Sequence, residues 1–260
     1  MGTSRPPLIF VTLPSQNEQY EVEDANNDGD CVNGVFDSDG CVCTTGFAGE
    51  SCNRYVYDCK EALDTEVSLE QSLTHVMLKP KNTNLAFEAL CNSNGHLAIL
   101  ARNTYGIDDV TFNKAWKDYQ YPFGTVGNFW LGLEYIYAML NQGDIFKLQI
   151  YCRNLDSEFS VFYETFSIQS ESNRYQMTAG VKLYESYTNG SDGFGGGQID
   201  VPFCTYDRPC NGYPYYLNGG WWYVSGLEQY ALTNQKPSLK FKYQNNDISV
   251  HQVSMALVKL

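Results

Sequence analysis

The residues best equipped for chemistry in this chain are its cysteines: nine occur in 260 residues, and Cys31, Cys41, Cys43 and Cys52 crowd into one short stretch. Thiols this dense either hold a metal or pair as disulfides in an oxidising compartment. The Cys41-Val-Cys43 step lacks the two-residue gap of a zinc knuckle, which favours disulfides. Bases for neutral-pH catalysis are few. Only His75, His96 and His251 are present, without a His-Glu-x-x-His spacing. No Gly-x-Ser-x-Gly elbow occurs, and Gly193-Phe-Gly195-Gly-Gly197 does not stand between a strand and a helix as a phosphate loop must. Thirty acids leave carboxylate pairs open but single none out, so the expectation is a binding protein and not an enzyme. Asp24-Ala-Asn26-Asn-Asp28-Gly29-Asp30 fits the first half of a calcium loop. Val35, however, falls on the twelfth position, where a bidentate carboxylate is required, so a solvated acidic linker is the preferred reading. Asn189-Gly-Ser191 is a sequon that should accept a glycan in a eukaryotic secretory pathway.

The elements that must position these groups follow from composition and periodicity. A net charge of −13 and a pI near 4.6 disfavour nucleic acid and anionic membranes, which attract lysine and arginine clusters. Residues 1–52 hold nine acids against Arg5 alone, so most of that charge lies at the amino-terminal end. No apolar run is long enough for a membrane span, and Leu8-Ile9-Phe10-Val11 is too short for a signal-peptide core, so the chain as given reads as mature and not membrane-inserted. Residues 1–23 are polar and proline-broken and read as a disordered tail. Residues 24–53 are cysteine-dense and too small to fold on apolar burial alone. Residues 54–260 read as one globular domain, with helices expected over Asp58–Leu73 and Phe112–Tyr119. Strands are expected at Val76–Leu78, Leu85–Leu90, Leu97–Ala101, Lys147–Tyr151, Phe159–Phe166 and Ser249–Leu257. The glycine-rich stretch 189–220 is expected to be loop and to carry any recognition surface.

Two resemblances sharpen this outline. Cys41-Val-Cys43-Thr-Thr-Gly46-Phe47-Ala-Gly49-Glu-Ser-Cys52, with Cys31 upstream, resembles the second half of an EGF-like domain, whose glycines permit the tight turns over which Cys43 closes on Cys52. The two cysteines of that family's first bridge are both absent, and the resemblance implies Cys31–Cys41 and Cys43–Cys52 pairs. Phe112-Asn-Lys-Ala-Trp116-Lys-Asp-Tyr119, followed by Phe123-Gly124 and Phe129-Trp130-Leu131-Gly132-Leu133-Glu134, resembles the signature of the fibrinogen C-terminal domain. That likeness runs over about 200 residues, through Cys59 and Cys91, Pro202-Phe203-Cys204-Thr205-Tyr206-Asp207 and Gly219-Gly220-Trp221-Trp222-Tyr223. It implies an α+β fold with a central antiparallel sheet, few short helices and a loop-rich recognition subdomain, and a Cys59–Cys91 bridge. Trp116, Tyr119, Phe129, Trp130, Trp221 and Trp222 are read as packing residues.

In that family a calcium ion and a ligand pocket lie side by side in the loops after the position of Asp207. Here the Asp-x-Asp pattern is broken, because Asp207-Arg208-Pro209 keeps one carboxylate and loses the other, so no cofactor is expected and calcium only at a degraded site. Gly226 stands where the second family disulfide needs a cysteine, and Leu227 where the pocket histidine is expected. Cys204 and Cys210, six residues apart, form the preferred alternative pair, with Cys152–Cys204 the other possibility. Ligand contacts are expected at Asp207, Tyr213, Tyr215, Tyr216 and Tyr223, and the rings of Tyr213, Tyr215 and Tyr216 either stack on a sugar or fill a peptide groove or simply cover a thin loop. The leading functional reading is a secreted, lectin-like recognition protein for acetylated or other surface glycans. The alternative is an extracellular adhesion or signalling ligand for a protein receptor or matrix component.

Overall fold

The computed structural model describes residues 31–38, 40–65, 73–104, 110–183, 200–210, 219–227, 230–234, 239–243 and 246–260. Its centre is a nine-stranded antiparallel sheet, in agreement with the expected α+β class. Along the sheet the strands run Lys182–Leu183, Glu158–Tyr163, Phe146–Arg153, Gln252–Lys259, Leu97–Asn103, Phe87–Cys91 and Thr74–Leu78. Asn128–Trp130 shares an edge of Leu97–Asn103 with Phe87–Cys91 and pairs in turn with Phe123–Thr125. The last strand in sequence therefore lies in the middle of the sheet. Its alternation buries Val253, Met255 and Leu257, and the neighbouring strand buries Phe146, Leu148, Ile150 and Cys152 on the same two-residue period.

The helices are short. Asp58 caps Cys59–Asp64 by accepting the Glu61 N–H at 2.9 Å, and residues 66–72 of the longer helix expected there lie outside the described residues. The Phe112–Tyr119 expectation shrinks to Trp116–Tyr119, since Ala115 is extended and Phe112 packs from irregular backbone onto the Phe123 ring. A helix that periodicity did not single out, Leu133–Leu140, buries Leu133, Ile136 and Met139.

The cysteine-rich module rests on the sheet edge. Its hairpin pairs Gly34–Asp37 with Gly40–Cys43, and Phe47–Ala48 pairs with Arg54–Tyr55. Disulfides join Cys31 to Cys41, Cys43 to Cys52, Cys59 to Cys91 and Cys204 to Cys210, and Cys152 is a buried thiol. Val56 forms a parallel bridge with Leu78, accepts the Lys79 N–H and donates to the Gly46 carbonyl, so the module's exit covers the otherwise open edge of Thr74–Leu78. Arg54 makes two bonds to Glu61 and lies 4.1 Å above the Tyr57 ring. Burial opposes ionisation of Glu61, but bonds from Arg54 and the Tyr57 N–H outweigh it and hold the carboxyl below its ordinary value. Arg102 is sealed under the loop at 230–234, donating to the Leu232 and Asn234 carbonyls across the face of Phe112. Burial pulls its pKa down to about 10, so it remains a cation at neutral pH.

Candidate functional site

The aromatic signature converts packing into loop placement. Tyr119 donates its hydroxyl proton to the Phe112 carbonyl at 2.6 Å and accepts the Gly220 N–H at 2.8 Å. A Cβ on Gly220 would come within 2.5 Å of the Tyr119 ring, which is why a glycine opens the Gly220-Trp221-Trp222 run. Trp130 Nε1 binds the Tyr119 carbonyl and Trp222 Nε1 the Tyr175 carbonyl, each indole placing a specific stretch of backbone. Trp221 and Cys204 exchange both backbone hydrogen bonds, which fixes where the loop closed by Cys204–Cys210 begins.

Inside that loop, Thr205 and Arg208 exchange N–H to carbonyl bonds in a tight turn that exposes Tyr206. Asp207 Oδ1 accepts the Trp116 N–H at 2.9 Å and the Thr205 hydroxyl at 2.8 Å, so this carboxylate pins the start of the Trp116–Tyr119 helix. Asp207→Ala should therefore cost about 1–2 kcal/mol, read as a shift of the denaturant midpoint without a change of slope. Trp116 is the hub: Arg208 lies 4.1 Å over its ring, Tyr175 stacks at 5.6 Å, and its Nε1 donates to Glu171 at 2.9 Å. Glu171 also faces the Arg208 guanidinium at 3.5 Å. Behind Trp116, Tyr175 shares a short hydrogen bond with Glu134, and burial above all raises its phenol far beyond titration at physiological pH.

Of the expected ligand contacts, Tyr223 is half-buried and donates to the Gly219 carbonyl at 2.6 Å. Tyr213, Tyr215, Tyr216, the Asn189 sequon and the acidic run Asp24–Asp30 lie outside the described residues. Sequence reading missed Glu171, Arg174 and the cation role of Arg208. Arg208 was visible as a break in Asp-x-Asp, but Arg174 carries no local signal. It reaches the loop from more than thirty positions away, where its Nη2 donates to the Arg208 and Pro209 carbonyls.

Three of the described oxygens that a divalent ion could use in this loop are thus already engaged. Asp207 Oδ1 caps Trp116, and the Arg208 and Pro209 carbonyls face a guanidinium. Among the described residues no group of three or more His, Cys, Asp or Glu side chains could hold a metal. Among the described residues this donor set does not fit calcium. On the far side of the short helix, Lys114, Lys117, Asp118, Gln120, Tyr121, Pro122 and Phe123 line an open cleft of about 390 Å³. Lys114 Nζ sits 5.3 Å over Phe123, and Asp118 is spent on the Ala115 N–H.

The chain matches the family model described as fibrinogen beta and gamma chains, C-terminal globular domain, over residues 55–248. Angiopoietin-related protein 2 of Mus musculus is 32% identical over 179 residues, covering 64% of this chain and 33% of that protein. Angiopoietin-related protein 1 of Bos taurus is 31% identical over 175 residues, with the same coverage of 64% and 33%. The solved fibrinogen-like globe domain of human ANGPTL2 superposes with a TM-score of 0.58 at 26% identity, covering 78% of this chain and 98% of that one. The chain spans about a third of the length of these curated relatives.

Proposed function

We propose, since this chain belongs to the fibrinogen C-terminal domain family, that it is an extracellular ligand that meets a protein partner, in signalling or adhesion, through the surface around the Trp116–Tyr119 helix. The observation that carries this is the way two of the polar groups nominated for sugar contact, on Asp207 and Tyr223, are spent. Asp207 Oδ1 and the Tyr223 hydroxyl both make internal bonds, whereas Tyr121, which shares a cleft with Lys114 and Lys117, stands exposed, as do Val126 and Tyr206. Exposed tyrosine and arginine next to apolar side chains is the composition of a protein interface, in which a few such residues carry most of the affinity. The relatives' names support the signalling or adhesion alternative over the glycan reading. No described helix is long and apolar enough to cross a membrane. Four disulfides suit an oxidising extracellular setting.

The test is capture of cell-surface proteins by the full chain, run beside a glycan array. Capture should survive enzymatic deglycosylation of the cells and fall about tenfold in affinity for Tyr121→Ala combined with Lys117→Glu. Glycan-array binding that disappears on Tyr215→Ala with Tyr216→Ala, together with capture lost on deglycosylation, would restore the lectin reading.

A further inference from the structure

We propose that Arg174 serves as a tethered cation that holds the Thr205–Cys210 loop in the place a divalent ion would take, making the recognition face independent of calcium. Arg174 Nη2 donates to the Arg208 carbonyl at 2.6 Å and to the Pro209 carbonyl at 3.2 Å. Backbone carbonyls gathered around one point suit a hard cation, and here the cation is covalently part of the chain. The backbone is arranged to aim it. Arg174 and Tyr175 are successive non-glycine residues in the left-handed region, at φ 56° and 45°, a conformation that persists only where surroundings impose it.

Four hydrogen bonds impose it. Arg174 N–H bonds the Glu171 carbonyl, Tyr175 N–H the Ser170 carbonyl, Phe203 N–H the Arg174 carbonyl, and Trp222 Nε1 the Tyr175 carbonyl. Pro209 keeps its own φ fixed, and the Cys204–Cys210 bond closes the loop covalently. A metal would also meet charge of its own sign, since Arg174 and Arg208 share this corner and Glu171 faces Arg208. Burial, and then the neighbouring Arg208 charge, lower the Arg174 pKa, which reports the same crowding of positive charge.

The experiment uses the full chain carrying Asp28→Asn and Asp30→Asn, so that the acidic run cannot report calcium. Thermal melting is compared in millimolar calcium chloride and in EDTA, for this parent and for added Arg174→Met or Arg174→Lys. The parent should melt at the same temperature in both solutions. Arg174→Met should melt about 4–8 °C lower, and Arg174→Lys, which keeps a cation within reach of the carbonyls, should recover part of that loss. A calcium-dependent rise in the parent overturns the proposal. So does Arg174→Met melting with the parent, or Arg174→Lys melting no higher than Arg174→Met.

Discussion

Trp130→Ala is expected to destabilise the chain by about 3–5 kcal/mol, the range for removing a large buried aromatic side chain. Trp130 is fully buried, with the rings of Tyr119, Phe203 and Trp222 centred 5.5, 6.0 and 6.1 Å away. Its backbone pairs with Leu100 and with Phe123, so collapse into the cavity would have to distort two strand pairings. The substitution also strips the Tyr119 carbonyl of the indole N–H, adding the cost of an unsatisfied buried acceptor. Guanidinium denaturation followed by far-UV circular dichroism measures the loss. Trp130→Phe keeps a ring without the N–H and should lose markedly less. A loss below about 1 kcal/mol for the alanine variant, the size of an ordinary surface change, would show that this cluster is not the keystone it looks to be.

The second large effect is expected where the two ends of the domain meet. Lys259 Nζ lies 2.7 Å from Asp58 Oδ2 and 3.1 Å from Asp144, and Lys81 joins Asp144 from the other side at 3.1 Å. Asp58 is only 1% exposed, so Lys259→Met leaves its carboxylate buried beside the helix it caps. Removing one partner of a fully buried pair costs about 3–5 kcal/mol; the partly open ammonium reduces this to an expected loss of about 2–3 kcal/mol at neutral pH.

The same cluster sets a pH window. Burial opposes the charge of Lys259, yet bonds to Asp58 and Asp144 outweigh it and raise its pKa above 10.5. A raised cation pKa contributes stability that is full below the unfolded value and is lost as pH rises through the folded one. For Asp144, burial opposes ionisation, but bonds from Lys259 and Lys81 hold the carboxyl below 3.8. That depressed value contributes above the unfolded pKa and is lost as pH falls through the folded one. The difference between the parent and Lys259→Met should therefore be widest across the neutral range and shrink at both extremes. A difference that is flat from acid to alkali would mean that methionine acts through packing alone.

The fold was legible where its signals are local. Alternating burial along Phe146–Arg153 and Gln252–Lys259 shows as alternating apolar residues, and both strands were expected. The run from Phe112 to Glu134 gave the family because each aromatic must fit one niche, so its spacing is constrained by packing. The Phe112–Tyr119 helix was overdrawn for the same reason. Phe112 belongs to the aromatic cluster, and its place there is met from irregular backbone capped at a distance by Asp207. Asp207 itself was noticed as an acid in a recognition loop. Its carboxylate binds the Trp116 N–H ninety-one positions away, and nothing in the neighbouring residues encodes that bond.

By itself, then, the sequence determined several strands of the sheet and the cysteine-dense stretch ahead of the domain through periodicity and residue type, and its resemblance to the fibrinogen C-terminal signature supplied the family and the α+β class. Only the tertiary structure decided that Asp207 Oδ1 is a helix cap, that Arg174 meets the carbonyls of Arg208 and Pro209, and that Lys259 closes on Asp58 across 201 positions. Each of these is a polar contact between segments far apart in the chain. Such a contact leaves no period in either segment and exists only once the apolar core has brought the two together.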